Sequence, residues 1–334
     1  MSERVQCDFC YHLCSLSPTQ RGLCGVRENR DGKLITLGWG DLVASGVDPI
    51  EKKPMYHLLP GEKTFSFALF GCNFCCQFCQ NHQISQQESP YWPGRISYDP
   101  HRITSPESLV KIADRSASRI MSYTYSDPVV WQDYMVDVAK LIHQRGRINC
   151  MVTNGSFSEQ SLKRILPYID AFNIDVKGDE DFYRTYCKGS LKPVMESIST
   201  IAADPEKVLE VTTLVIEGIH TAESIRILGE QLAMRQVKVW HLSRFFPHYR
   251  MQDRSPTSED FLLKMLEIGR ASGIPHIYAG NSSLSGWDKT VCPACKKTLI
   301  PSHSYSGEAA LEAKINIVNG KCVHCGEPIY GRFD

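Results

Sequence analysis

The chain has 334 residues, 42% of them hydrophobic and 22% charged, which is enough to build a large core. Lys plus Arg equals Asp plus Glu at 37 each, and no basic block stands out, which argues against a dedicated nucleic-acid binder. The first residues, MSERVQCDFCYHLC, lack the apolar run of a signal peptide, and no stretch approaches about 18 consecutive apolar residues, so a cytosolic protein with no membrane partner is expected.

In a reducing compartment, clustered thiols read as metal sites before disulfides. Twelve of the 14 cysteines fall into three islands. The first, Cys7, Cys10, Cys14 and Cys24, lies in an expected Cys-rich N-terminal extension over residues 1–60. Its spacing offers four thiolates, or three with His12, to a second metal: zinc or an auxiliary iron–sulfur cluster.

From residue 61 to 285 short β-rich runs alternate with helical patterns. Strands are expected over Thr64–Phe70, Arg119–Tyr125, Ile148–Val152, Ala171–Val176, Val208–Ile216 and Val237–Ser243, with a seventh short run at PHIYAG. Helices are expected over Pro106–Ser116, Trp131–Arg145, Ser158–Leu166, Ala222–Met234 and Ser258–Ala271, where apolar residues recur at three and four. Such alternation implies parallel strands joined by helical crossovers. The fold class expected is α/β, a partial (β/α)6 barrel, with a doubly wound open sheet as the alternative. Reactive groups then belong at the C-terminal ends of the strands.

The second island obeys that rule. GCNFCCQFCQ follows the first expected strand, and Cys72, Cys76 and Cys79 are spaced C-x3-C-x2-C. Three thiolates hold three irons of a [4Fe–4S] cube and leave the fourth iron open to an amino group and a carboxylate. Cys75 is surplus: a small buried hydrophobe, a spare thiol at the cluster pocket, or a ligand in a shifted register.

Further strand ends carry short polar groups. TYSDP supplies Thr124, Tyr125 and Asp127, with Ser126 or Asp127 also able to cap the Pro-initiated turn. VTNG supplies Thr153 and Asn154 before Gly155, which permits a turn with positive φ. NIDVK supplies Asp175 and Lys177, and WHLSRFF supplies His241, aimed at the barrel mouth or its outer wall according to register.

The third island, Cys292, Cys295, Cys322 and Cys325, is two CxxC knuckles 26 residues apart in a zinc-ribbon-like tail over residues 286–334. A four-thiolate zinc site is expected there, with rubredoxin-like iron as the competitor. So small a unit takes much of its folding free energy from the metal.

The cysteine loop together with TYSDP, VTNG, NIDVK and CDFCYHLC resembles the radical S-adenosylmethionine (SAM) superfamily. Within it the chain is similar to the radical SAM enzymes of the AmmeMemoRadiSam system, relatives of pyruvate formate-lyase activating enzyme. The resemblance implies that Cys72, Cys76 and Cys79 bind a [4Fe–4S] cluster whose open iron chelates SAM, and that Phe78 packs near the adenine. It also implies that the TYSDP turn meets the SAM amino group and that Lys177, oriented by Asp175, neutralises its carboxylate. Reductive cleavage to a 5′-deoxyadenosyl radical follows, with flavodoxin or ferredoxin as donor and a protein or small molecule as substrate. A radical transferase or a glycyl-radical-activase-like oxidoreductase is therefore expected. Two departures, the Cys75–Cys76 pair and IEGIH where Pro and Asn are more usual, touch the barrel mouth. The first also resembles the arsinothricin-biosynthesis branch, which implies a 3-amino-3-carboxypropyl radical. The remaining alternative is a catalytically inactive zinc-binding adaptor.

Overall fold

The computed structural model describes residues 4–89, 92, 99–302 and 315–334. Eight strands form one sheet: β1 (Ala44–Pro49), β2 (Lys63–Ala68), β3 (Ile120–Tyr123), β4 (Ile148–Thr153), β5 (Ala171–Asp175), β6 (Val208–Val215), β7 (Val239–Arg244) and β8 (His276–Gly280). They lie side by side in strict chain order. From β2 to β8 every pairing is parallel; β1 alone runs antiparallel, against β2. A doubly wound sheet reverses its strand order at a switch point, and this one does not. It winds one way, as a partial barrel does. The β1 edge comes from the N-terminal side of residue 61 and caps the row as a hairpin arm.

Helices α1 (Pro106–Asp114), α2 (Gln132–His143), α3 (Glu159–Ile165), α4 (Leu191–Ala202), α5 (Ala222–Met234) and α6 (Glu259–Ala271) form the crossovers. Their starts are written locally. Ser105, Ser158, Thr221 and Ser258 each accept a first-turn N–H on the side-chain oxygen, supplying one of the bonds a helix N-terminus lacks. Helix α4 has no counterpart among the expected helices. Its first turn holds Pro193, its N-cap Ser190 makes no side-chain bond, and the Leu191 N–H is met instead by Glu180 Oε2 at 2.8 Å. A cap supplied from eleven residues away leaves no local signature.

Inside the barrel, side chains stack in layers because alternate residues of each strand face inward. Strand register pairs Leu214 with Ser243, and Thr212 with both His241 and Asp175. The lower layer is polar and closed. Glu210 accepts the N–H groups of Tyr56 (3.0 Å) and His57 (2.7 Å) and lies 2.6 Å from His241 Nε2. His57 gives its Nδ1–H to the Tyr330 carbonyl at 2.6 Å, so its Nε2 accepts from the Tyr278 hydroxyl at 2.8 Å. Tyr330 itself sits against β6, its hydroxyl 2.6 Å from the Leu209 N–H. The C-terminal segment thus seals the barrel floor.

Outside the sheet, the N-terminal residues form two small hairpins, Val5–Gln6 with Ser15–Leu16 and Arg27–Arg30 with Lys33–Thr36. The tail forms two more, Thr290–Val291 with Thr298–Ile300 and Ile317–Val318 with Lys321–Cys322. Residues 303–314 of the expected tail unit lie outside the described residues. Among the described residues, no helix is long and apolar enough to cross a membrane.

Candidate active site

A cavity of about 330 Å³ opens at the C-terminal ends of the strands. The loop leaving β2 supplies its wall with Cys72, Cys76 and Cys79, all lining the same space. Cys75 is exposed and lies outside that lining, its N–H bonded to the Cys187 carbonyl at 2.8 Å. The loop therefore turns three thiols inward and one out. Cys75 as a buried hydrophobe is overturned, and as a ligand it points the wrong way.

The inward thiols sit among donors. Cys72 Sγ receives the Phe74 N–H at 3.4 Å and the Asn154 side-chain amide at 3.7 Å, and Ser85 Oγ lies 3.1 Å from Cys79 Sγ. As bare thiols all three are pushed upward. Burial raises Cys72 well above the usual thiol range, with Asp127 adding to it. Burial and then Cys76 push Cys79 up to about 11. Cys76 is raised chiefly by the neighbouring Cys187 thiol. Protons on buried thiols are readily replaced by a polarising metal, which is how such a site couples binding to proton release. Cys187 gave no signal in the sequence, since it stands alone between two islands.

Asp127 is the hub of the next two strand ends. It caps the turn that begins at Pro128, with Oδ1 accepting from Val129 N at 3.1 Å and from the Thr153 hydroxyl at 2.9 Å. Burial raises its carboxyl above the ordinary value against these donors. Tyr125, beside it, has φ +68°, a conformation costly for a bulky residue. It is held there from both ends: its carbonyl accepts from the Asn81 amide at 2.8 Å, and its hydroxyl donates to Asp48 at 3.0 Å. The chain keeps a glycine-like backbone while placing an aromatic ring at the mouth. Gly155 does adopt positive φ, +71°, and a Cβ there would lie 2.7 Å from Ile174.

At the end of β5, Lys177 Nζ is 3.0 Å from Asp175 Oδ2 and 5.9 Å from the centre of the Phe78 ring. Burial opposes its charge, but the Asp175 carboxylate, and the Cys76 and Cys187 sulfurs where ionised, more than offset this and raise its pKa well above the usual lysine value. A buttress holds this corner. His220 accepts the Ile216 N–H on Nδ1 at 2.9 Å, so its Nε2–H donates to the Lys177 carbonyl at 2.9 Å. Its ring stacks on Phe182 at 4.8 Å, and Phe182 in turn meets Phe78 at 5.6 Å. The IEGIH departure is thus a second support for the lysine, which sequence spacing could not reveal.

Phe78, Thr124, Tyr125, Asp127, Thr153, Asn154, Asp175 and Lys177 all line the cavity, joined by Thr212, Ser243 and Asn281. His241 is the correction. It faces the interior but one layer too deep, fully buried beside Glu210, while Ser243 two residues on reaches the cavity.

In the tail, Cys292, Cys295, Cys322 and Cys325 bring their sulfurs within 4.8 Å of one another. The Cys292–Cys325 separation is 3.6 Å and the Cys295–Cys322 separation 3.8 Å. Tetrahedral Zn–S bonds of about 2.3 Å demand about 3.8 Å between sulfurs, so the four thiols fit one mononuclear metal.

Residues 68–221 match the Radical SAM superfamily. Across 98% of the chain and 95% of its partner, the sequence is 34% identical to the uncharacterized protein MJ0808 of Methanocaldococcus jannaschii. The chain belongs to the radical SAM superfamily. It is an enzyme of that superfamily, with SAM-dependent radical generation as its general chemistry, and the inert-adaptor alternative falls. Among solved structures, SuiB of Streptococcus suis superposes with a TM-score of 0.50 at 9% identity, over 70% of this chain and 52% of that one. A domain of pyruvate-formate lyase-activating enzyme from Bacteroides vulgatus gives 0.42 at 18% identity, over 48% and 98% respectively. These likenesses are of fold alone.

Proposed function

We propose that this radical SAM enzyme holds a [4Fe–4S] cluster on Cys72, Cys76 and Cys79 and cleaves SAM reductively to a 5′-deoxyadenosyl radical. The observation that carries the reading is the inward turn of three thiols, with Cys75 outside, into the cavity that also contains Lys177. When bound, the cluster supplies the electron that breaks a C–S bond of the sulfonium.

The chain's own residues do the rest. Lys177, kept charged by Asp175, meets the SAM carboxylate, and Phe78 offers its ring to the adenine. The Thr124–Asp127 turn faces the amino group, its backbone set by the strained Tyr125 and the Asp127 cap. Thr153 and Asn154 continue the same wall, bonded to Asp127, and Asn154 also donates toward Cys72 Sγ, a bond of the kind that tunes a cluster's potential. Thr212 on β6, Ser243 on β7 and Asn281 just after β8 line the rest of the cavity and border the space left for a substrate.

The motif set supports placement in the AmmeMemoRadiSam branch, with a cytosolic one-electron protein donor of the flavodoxin or ferredoxin class. Sulfur spacing in the tail supports zinc on Cys292, Cys295, Cys322 and Cys325. The deciding experiment is anaerobic incubation of reconstituted enzyme with SAM and dithionite, followed by mass spectrometry. 5′-Deoxyadenosine is expected; methylthioadenosine would instead show the 3-amino-3-carboxypropyl route, and no SAM turnover would remove the reading.

A further inference from the structure

The N-terminal cysteines are unused by the site above. They converge nonetheless. Cys14 Sγ and Cys24 Sγ each lie 3.7 Å from the position a Cβ on Gly22 would occupy, which caps their separation at twice that distance. Cys7 N donates to the Cys14 carbonyl at 2.8 Å, closing the hairpin that carries both. Cys10 lies in the connection of that hairpin, where its carbonyl accepts the Leu13 N–H at 3.1 Å and its backbone pairs with Phe157. Cys7, Cys10 and Cys24 are buried, Cys14 half-buried.

Spacing separates the metals that such a quartet can hold. One zinc draws four sulfurs to about 3.8 Å, whereas in a cube each cysteine binds a different iron, so its sulfurs stand farther apart. Among the described residues, the tail quartet alone brings three or more ligand atoms within 4.8 Å of one another. No three sulfurs of the N-terminal island meet that spacing, and neither do Cys72, Cys76 and Cys79 together. From this geometry we infer that Cys7, Cys10, Cys14 and Cys24 bind a second iron–sulfur cluster of cubane size, not a zinc ion. The inference leans on reading the Cys72 loop as a cluster site for its internal comparison.

Location adds a reason. The island lies against the back of the Cys72 loop. Tyr11 N donates to the Ser156 carbonyl at 3.1 Å, and His12 Nε2 lies 3.2 Å from the Asn73 carbonyl. Asn73 in turn accepts from the Asn154 amide at 2.8 Å, and that same amide reaches toward Cys72 Sγ. A single bridge of two asparagines thus joins the two cysteine groups. All four ligands being cysteines, this cluster has no open iron for SAM.

The test is metal and sulfide analysis of full-length protein reconstituted anaerobically with iron and sulfide. Wild type should carry about eight irons and eight labile sulfides, and the Cys72→Ala/Cys76→Ala/Cys79→Ala variant about four of each, with a reducible cluster signal in electron paramagnetic resonance that SAM leaves unchanged. The reciprocal Cys14→Ala/Cys24→Ala variant should also fall to about four, with a signal that SAM does alter. Two zincs per wild-type chain, or a triple variant holding two irons or fewer, overturns the inference. Failure of the loop reading looks different: wild type and the triple variant then both hold about four irons and no preparation responds to SAM.

Discussion

Asp127 and Asn154 meet across two strand ends, the carboxylate Oδ2 accepting the Asn154 backbone N–H at 2.9 Å. With Val129 N and the Thr153 hydroxyl on the other oxygen, one buried side chain satisfies three donors. Asp127→Ala leaves all three without a partner, and a buried unmet donor costs about 1–3 kcal/mol. A loss of about 3 kcal/mol or more is expected in denaturant unfolding. Asp127→Asn should cost less, because its remaining carbonyl oxygen still serves one side. An Ala variant as stable as wild type would show that water replaces the carboxylate and that the hub is not structural.

Among the described residues that line the cavity, Lys52 and Lys177 are the cationic ones, and Lys177 is the one held 3.0 Å from Asp175. If it meets the SAM carboxylate, Lys177→Met removes a charge-assisted bond of about 1.5–3 kcal/mol. SAM affinity should then fall about 10- to 100-fold while the iron content and visible spectrum stay as in wild type. Equilibrium dialysis with labelled SAM reads the affinity. Unchanged binding would move the carboxylate elsewhere.

Cys75 and Cys76 are neighbours in sequence with opposite fates. Cys75→Ala should keep the full iron content of the loop, because that side chain faces out. Cys76→Ala should lose the loop cluster. Iron lost from both variants, or from Cys75→Ala alone, would mean that the ligand register is shifted by one.

Much of this site was legible because strand ends and cysteine spacing are local signals. The C-x3-C-x2-C loop, Thr124–Asp127, Thr153–Asn154 and Asp175–Lys177 each stand directly after a β-rich run, and all of them reach the cavity. What was hidden is long-range. His241 was misplaced because strand register decides depth, and a shift of one layer separates a cavity wall from the buried partner of Glu210. His220 and Cys187 act through contacts with residues more than 40 and 100 positions away. Helix α4 escaped because its cap is Glu180 and its first turn carries a proline. Nothing in residues 44–49 announces an edge strand, since ASGVDP lacks both a β-rich run and a clear alternation.

The four-cysteine tail and the barrel floor are joined through Tyr330 and Arg332. Arg332 N donates to the His57 carbonyl at 2.8 Å, and Tyr330 contributes to the bonds of both His57 and Leu209. Structural zinc in small units is worth about 10–16 kcal/mol of apparent binding free energy, so a tail without metal should release these contacts. Cys295→Ala is expected to lower the thermal midpoint of the whole chain, with loss of one zinc. Tyr330→Phe, which keeps the zinc but removes the hydroxyl bond to Leu209 N, should cost about 1 kcal/mol. A Cys295→Ala protein with an unchanged midpoint would show that the floor stands without the tail.

Acid should destabilise this protein earlier than carboxylate protonation alone would. Burial lowers the pKa of His57 and His220, and it lowers that of His276 well below the ordinary value, with His57 adding to it. These rings are neutral in the fold, while the unfolded chain protonates them near pH 6.5. The sign follows from linkage: below that pH the unfolded state binds more protons, so stability falls as pH falls, and it levels off only below the depressed folded pKa values. Above pH 7 the histidines contribute no slope. Each contributes at most about 1.4 kcal/mol per pH unit, so urea midpoints should drop steeply between pH 6.5 and pH 5.5. His276→Gln, which removes one titrating ring, should flatten that slope. A flat profile down to pH 5, or an unchanged slope in the variant, would show that these histidines accept protons without unfolding the floor.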